Sequence, residues 1–68
     1  MIAINSSNIR AVEYDEQQQI LKVQFTNQAT YQYSGVPAAT YRDFMAANSK
    51  GAFFASEIKS VYPYEKLS

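Results

Sequence analysis

Cysteine and histidine are both absent from the 68 residues. Their absence excludes disulfides and the usual zinc and iron sites, two supports on which small domains commonly rely. A formal charge of zero, from six basic and six acidic side chains, removes the strong electrostatic attraction that gives most nucleic-acid binders their affinity. A local basic face remains compatible with that balance. No apolar run approaches the roughly 18–20 residues of a membrane span. The N-terminal M-I-A-I-N-S-S-N-I-R lacks the basic segment and long apolar segment of a signal peptide. A cytoplasmic chain with no membrane partner is the expectation.

What the chain does have is aromatic rings. A single domain of this length buries only roughly 60% of its unfolded surface, and its core supplies about 3–5 kcal/mol net. Six Tyr and four Phe, each able to bury on the order of 150–250 Å², are the available compensation, unless a second copy of the chain adds support. With 47% hydrophobic and 18% charged residues, the composition is that of a folded globular domain.

Ile2 and Ile4 read as a short extended lead-in and Ser6-Ser7-Asn8 as a turn. A first strand is predicted over Ile9–Tyr14, with Val12 and Tyr14 on a common face. Asp15-Glu16-Gln17-Gln18-Gln19 is a solvated connection. In the second strand Leu21, Val23 and Phe25 alternate with Lys22, Gln24 and Thr26. In the third, over Ala29–Ser34, Ala29, Tyr31 and Tyr33 alternate with Thr30, Gln32 and Ser34. Beyond Gly35 the period lengthens. Pro37 suits the first turn of a helix, where its missing N–H would go unpaired anyway. That helix runs to Asn48, with Tyr41, Phe44 and Met45 on one stripe and Arg42 and Asp43 off it. Ser49 is placed to cap a second helix, which carries Phe54, Ile58, Val61 and Tyr62 and stops at Pro63. The predicted fold is α+β: a three-stranded antiparallel meander with two C-terminal helices on one face.

In their order and spacing, S-S-N-I-R-A-V-E-Y-D, L-K-V-Q-F, Y-Q-Y-S-G-V-P, N-S-K-G-A-F-F and V-Y-P-Y resemble the KTSC domain family. That family is a module of about this size, found alone and at the C-terminus of some lysyl-tRNA synthetases. Its hallmark is the Tyr-x-Tyr pair, here Tyr31 and Tyr33, with Gly35 and Pro37 following. The resemblance covers Ile4 to Tyr64, and the synthetase association implies an RNA-binding role. Two positions depart from the family pattern. Glu13 stands where the family usually has Gly, and Asn27-Gln28 replaces the usual Gly of the first hairpin. Gln is a poor substitute for Gly in a left-handed turn position, which weakens the inference of one there.

Two hairpin registers are open for the tyrosine pair. With a two-residue loop, Asn27-Gln28, the tyrosines share a face with Lys22 and Gln24 and form an aromatic platform suited to stacking unpaired bases. With a three-residue loop, Thr26-Asn27-Gln28, Val23 faces Tyr31, Leu21 faces Tyr33, and both rings are core. The second is the better fit. It gathers Lys22, Gln24, Thr30, Gln32 and Ser34 on one polar face, whereas a one-residue slip would turn Thr30 and Gln32 toward the helices. The pair then reads as structural.

No motif identifies a reaction. Without His or Cys a nucleophile would have to be Ser, Lys or Tyr, Ser6-Ser7 has no evident base nearby, and Asp15-Glu16 lacks the spacing of a calcium loop. A chain this short hardly forms a deep pocket. Ser49-Lys50-Gly51 at a helix start resembles an anion-gripping turn, but the full Walker pattern is missing, and a plain helix–helix corner explains the same residues. Lys59, three residues before Tyr62, would extend that patch. The expectation is a non-catalytic binding module without cofactor or metal. Its hypothesised ligand is single-stranded RNA, contacted by Lys50, Lys59, Tyr62 and, on the polar sheet face, Lys22 and Gln32. The alternative is a protein-interaction module that docks through Tyr62-Pro63-Tyr64 or pairs with itself at a sheet edge.

Overall fold

The alternating strands and the two helical stripes assemble into one antiparallel sheet covered on a single face. The computed structural model describes residues 1–68. The chain runs β1 (Ile2–Ala3), β2 (Ile9–Asp15), β3 (Ile20–Phe25), β4 (Thr30–Ser34), α1 (Ala38–Ala46), α2 (Lys50–Glu57) and β5 (Tyr64–Lys66). The five strands lie side by side in chain order. The three predicted strands are the central ones, and a short strand is added at each edge. No helix is long and apolar enough to cross a membrane.

Strand register decides which residues meet the helices. Leu21 pairs with Tyr33 and Val23 with Tyr31, as the three-residue loop requires, so the tyrosines lie on the core side and the alternative platform beside Lys22 does not form. Phe25 closes this loop: its N–H donates to the Ala29 carbonyl at 2.8 Å and its carbonyl accepts from the Gln28 N–H at 2.9 Å. Gln28 takes a positive φ of 73°, so the left-handed position is present although glycine is missing from it. A three-residue hairpin loop demands a left-handed third residue whichever side chain stands there. Gln19 does the same (φ 57°) at the end of the β2–β3 connection, where the Asp15 carboxylate accepts from the Gln18 N–H.

Ile9, Val12, Leu21, Val23, Val36, Phe44 and Ile58 have no exposed surface, and Ile4, Tyr33 and Phe54 complete the core. Phe44 of α1 meets Phe53 of α2, ring centroids 6.0 Å apart. Gly35 has φ +76° with open space around its missing side chain, so it is there for backbone conformation and not for room. It turns the chain out of β4. Pro37 sits one place earlier than expected, at the N-cap, extended, with its carbonyl accepting from Tyr41. Ser49 caps α2 as predicted, its hydroxyl oxygen accepting from the Ala52 N–H at 3.3 Å.

The second helix is shorter than its apolar spacing suggests. It ends at Glu57; Ile58 departs from helical geometry (φ −124°, ψ −50°), and the next residues form a turn whose Val61 and Tyr62 N–H groups both donate to the Ile58 carbonyl. Ile58 is buried and Tyr62 half-buried, but Val61 is 58% exposed. Past Pro63 the chain returns to the sheet edge as β5, antiparallel to β4.

Candidate functional site

Because directly opposed residues in a sheet point to the same side, the register also sorts the polar groups. One row of the open face runs Glu13–Lys22–Gln32–Glu65 across four strands. Lys22 and Gln32 therefore come together as expected, in a shallow depression shared with Asp15 and Gln18. Carboxylates surround Lys22, and this face offers a phosphate chain little attraction.

The helix-facing rows end differently. Tyr33 is opposed by Tyr64 and Tyr31 by Lys66, and no helix covers this end of the sheet completely. The uncovered part is a groove of about 430 Å³ walled by Phe25, Tyr31, Tyr33, Phe54 and Tyr64, with Asn8, Asn27, Lys59 and Ser60 among its polar lining. Its rings hold one another in place. Phe54 meets Tyr33 edge-on at 5.3 Å and lies 5.5 Å from Phe25, while Tyr64 lies 5.7 Å from Tyr33 and 5.6 Å from Tyr31. Edge-to-face and offset contacts of this kind contribute about 0.5–1.5 kcal/mol each beyond simple burial. Burial, and then the neighbouring Tyr31 and Tyr64, push the Tyr33 phenol up to about 12, so at neutral pH it carries its proton.

Ser49, Lys50 and Gly51 line a second, polar depression with Asn5, Ser6, Ser7 and Asn8. Here the local bonds are structural. The Lys50 ammonium donates to the Ala47 carbonyl at 3.2 Å, closing the end of α1, and the Ser49 hydroxyl is engaged as a cap. Lys59 does not extend this patch. With α2 ending at Glu57, Lys59 turns to the aromatic groove while Tyr62 turns to α1, its hydroxyl 3.4 Å from the Thr40 hydroxyl. No group of three or more His, Cys, Asp or Glu side chains is arranged to hold a metal.

A KTSC domain model matches residues 5–62. The chain belongs to the KTSC domain family. A crystal structure of a KTSC domain protein from Yersinia pestis superposes with a TM-score of 0.93 at 41% identity, covering 97% of this chain and 93% of that one. A protein of Stutzerimonas stutzeri is 38% identical over 58 residues, 85% of this chain and 82% of its own length. A lysine–tRNA ligase of Nostoc punctiforme is 34% identical over 62 residues, which are 91% of this KTSC domain but 11% of the ligase.

The sequence indicated Tyr31, Tyr33, Lys59 and, as part of Tyr62-Pro63-Tyr64, Tyr64, but not the groove that unites them. Phe25, Phe54 and Tyr64 are spread over 40 positions of the chain, and Tyr64 joins only through β5. The one signal available was parity: rings on the core side outnumber what two short helices can cover.

Proposed function

We propose that this KTSC domain is a non-catalytic module that binds single-stranded nucleic acid, RNA in the first instance, in the aromatic groove. The observation that carries this reading is five rings walling one groove with Lys59 on its lining and Lys66 opposite Tyr31 on the same side of the sheet. Exposed ring faces stack unpaired bases at about 1–3 kcal/mol per base, and a duplex keeps its bases stacked out of reach. At about 430 Å³ the groove falls in the lower part of the roughly 300–1,000 Å³ range of small-ligand clefts. It suits a base and its sugar. Similarity to ligases whose name places a tRNA in their reaction supports an RNA ligand over DNA.

Docking through Tyr62-Pro63-Tyr64 draws less support, because Tyr62 is turned to Thr40 and only Tyr64 faces the groove. Self-pairing would rely on edge strands of two and three residues, and short edges resist such pairing.

Two lysines give a shallow salt response. The expected slope of log K against log salt is about −1.4 for a single strand, from roughly 0.7 per neutralised phosphate. Titration of the isotope-labelled domain with single-stranded RNA at low and physiological salt tests the reading. Shifts should concentrate at Tyr31, Tyr33, Phe54, Lys59 and Tyr64, and Lys59→Ala should flatten the slope by about half. Unchanged spectra at both salt concentrations would rule the proposal out.

A further inference from the structure

The five rings that wall the groove are not equally open to a ligand. Phe54 and Tyr33 are 2% and 3% exposed, so neither has a face to offer a base. Tyr31 is half-buried and touches three other rings: Phe25 edge-on at 5.6 Å, Tyr33 stacked at 6.4 Å and Tyr64 at 5.6 Å. Phe25 is closed in by Tyr31 and Phe54. Tyr64, by contrast, is 62% exposed. Both of its ring contacts, to Tyr31 and Tyr33, come from the neighbouring strand β4, and β5 is the last strand of the sheet. The Tyr64 ring is therefore supported from one side and open on the other.

Strand geometry sets a charge beside this ring. Residues two apart on a strand share a face and lie about 7 Å from each other. Lys66 thus stands next to Tyr64 on the groove side, while Glu65 opposes Gln32 and faces away. Backbone bonds hold the short strand at both ends: the Ser34 N–H donates to the Pro63 carbonyl at 3.0 Å, and the Leu67 N–H donates to the Thr30 carbonyl at 2.7 Å. A ring and an ammonium are presented on a fixed backbone, close enough together for one nucleotide to span. Both residues lie past residue 62, where the match to the KTSC model ends.

Given single-strand binding in the groove, on which this rests, we infer that β5 is the strand that grips the ligand: the open face of Tyr64 stacks on one base, and the Lys66 ammonium neutralises the phosphate beside it. Phe25, Tyr31, Tyr33 and Phe54 hold the Tyr64 side of the groove in shape and touch the base little. Lys59, on the groove lining, meets a second phosphate. Every base has a face that stacks, so the unit recognised is a short unpaired stretch rather than a particular base.

The test is a titration of the isotope-labelled full chain with a short oligouridylate, in the wild type and in Tyr64→Phe, Tyr64→Leu and Lys66→Gln. Tyr64→Phe keeps the ring face, Tyr64→Leu keeps an apolar side chain beside Tyr31 and Tyr33, and Lys66→Gln removes the charge. In the wild type the Tyr64 ring protons are expected to move upfield on binding, further than those of Tyr33 or Phe54. Tyr64→Phe should bind within about twofold of the wild type, and Tyr64→Leu at least about fivefold more weakly, the low end of what one stacked base contributes. Lys66→Gln should flatten the slope of log K against log salt by roughly 0.7, the share of one phosphate. Wild-type affinity in Tyr64→Leu, equal losses in Tyr64→Phe and Tyr64→Leu, an unchanged slope in Lys66→Gln, or larger ring shifts at Tyr33 or Phe54 would overturn the inference and leave nucleic-acid binding standing. Wild-type spectra unmoved by the oligomer would overturn that binding, and the role of β5 with it.

Discussion

The Tyr14 hydroxyl donates a 2.6 Å hydrogen bond to the backbone carbonyl of Val36, 22 residues further along the chain. It ties β2 to the segment that leads from Gly35 into α1, and the Tyr14 ring stacks on Tyr41 of that helix at 4.4 Å, with the planes 10° apart. Burial, reinforced by Glu16, raises the Tyr14 phenol above its ordinary range, which keeps the donor protonated. Tyr14→Phe retains the stacking and removes the bond. The expected cost is about 1–3 kcal/mol, because the carbonyl of the fully buried Val36 loses its partner. Urea unfolding followed by circular dichroism measures it; an unchanged midpoint would mean that the ring alone anchors α1.

Gln28 is expected to be better replaced by glycine. Its φ of 73° imposes a left-handed conformation that costs a side-chain-bearing residue about 1–2 kcal/mol, against about 0.5–1 kcal/mol of extra flexibility that glycine brings to the unfolded chain. Gln28→Gly should therefore stabilise the domain by about 0.5–1 kcal/mol. A lower melting temperature for that variant would contradict the hairpin geometry.

Gly51 presents the opposite case. A methyl group on it would come within 2.8 Å of the Asn8 oxygen and 3.2 Å of the Ser6 hydroxyl oxygen, which are bonded to each other. Helix propensity favours alanine over glycine by about 1 kcal/mol, so the clash and the preference oppose. Gly51→Ala alone should change stability by less than about 0.5 kcal/mol, but in an Asn8→Ala background it should stabilise by about 0.5–1 kcal/mol. A double-mutant cycle reads the difference, and additive effects would show that the two residues do not touch.

Alkaline pH should loosen the domain through Tyr33. Its proton leaves the unfolded chain near the ordinary value of 10.0 but leaves the native fold near about 12. The folded state therefore binds the proton more tightly. The resulting stabilisation is fully present below the unfolded value and is lost as pH rises through the folded one. Between those two values the wild type should lose on the order of 1–2 kcal/mol more than Tyr33→Phe, which has no proton to release; solvent reaching the hydroxyl holds the loss below the full shift. Urea midpoints of both proteins across this window supply the comparison, and parallel curves would contradict the burial of the phenol.

Period and parity made the central sheet legible. Leu21, Val23 and Phe25 alternate cleanly, and the polar set Thr30, Gln32 and Ser34 allowed only one comfortable register. Ser49 announced the start of α2 by its chemistry. The end of that helix was illegible because Ile58, Val61 and Tyr62 keep helical spacing after the backbone has left the helix; Ile58 and Tyr62 still pack inward from the turn, and only the exposed Val61 betrays the change. Strand β5 was hidden by its brevity, three exposed residues after a proline, whose place is set by β4 rather than by any pattern of their own. With β5 unseen, Tyr64 had no reason to meet Tyr31 and Tyr33, and the groove stayed out of view.

The strand order has a bearing on attachment. The chain enters at one margin of the sheet and leaves at the other, about 19 Å away at the usual spacing between neighbouring strands, and the ring-lined cleft belongs to the exit margin. A larger body fused ahead of Met1 would hold the domain by its far side, leaving the cleft open to solvent, whereas cargo appended after Ser68 would crowd its mouth. Affinity tags and tethers on this protein are best placed at the front.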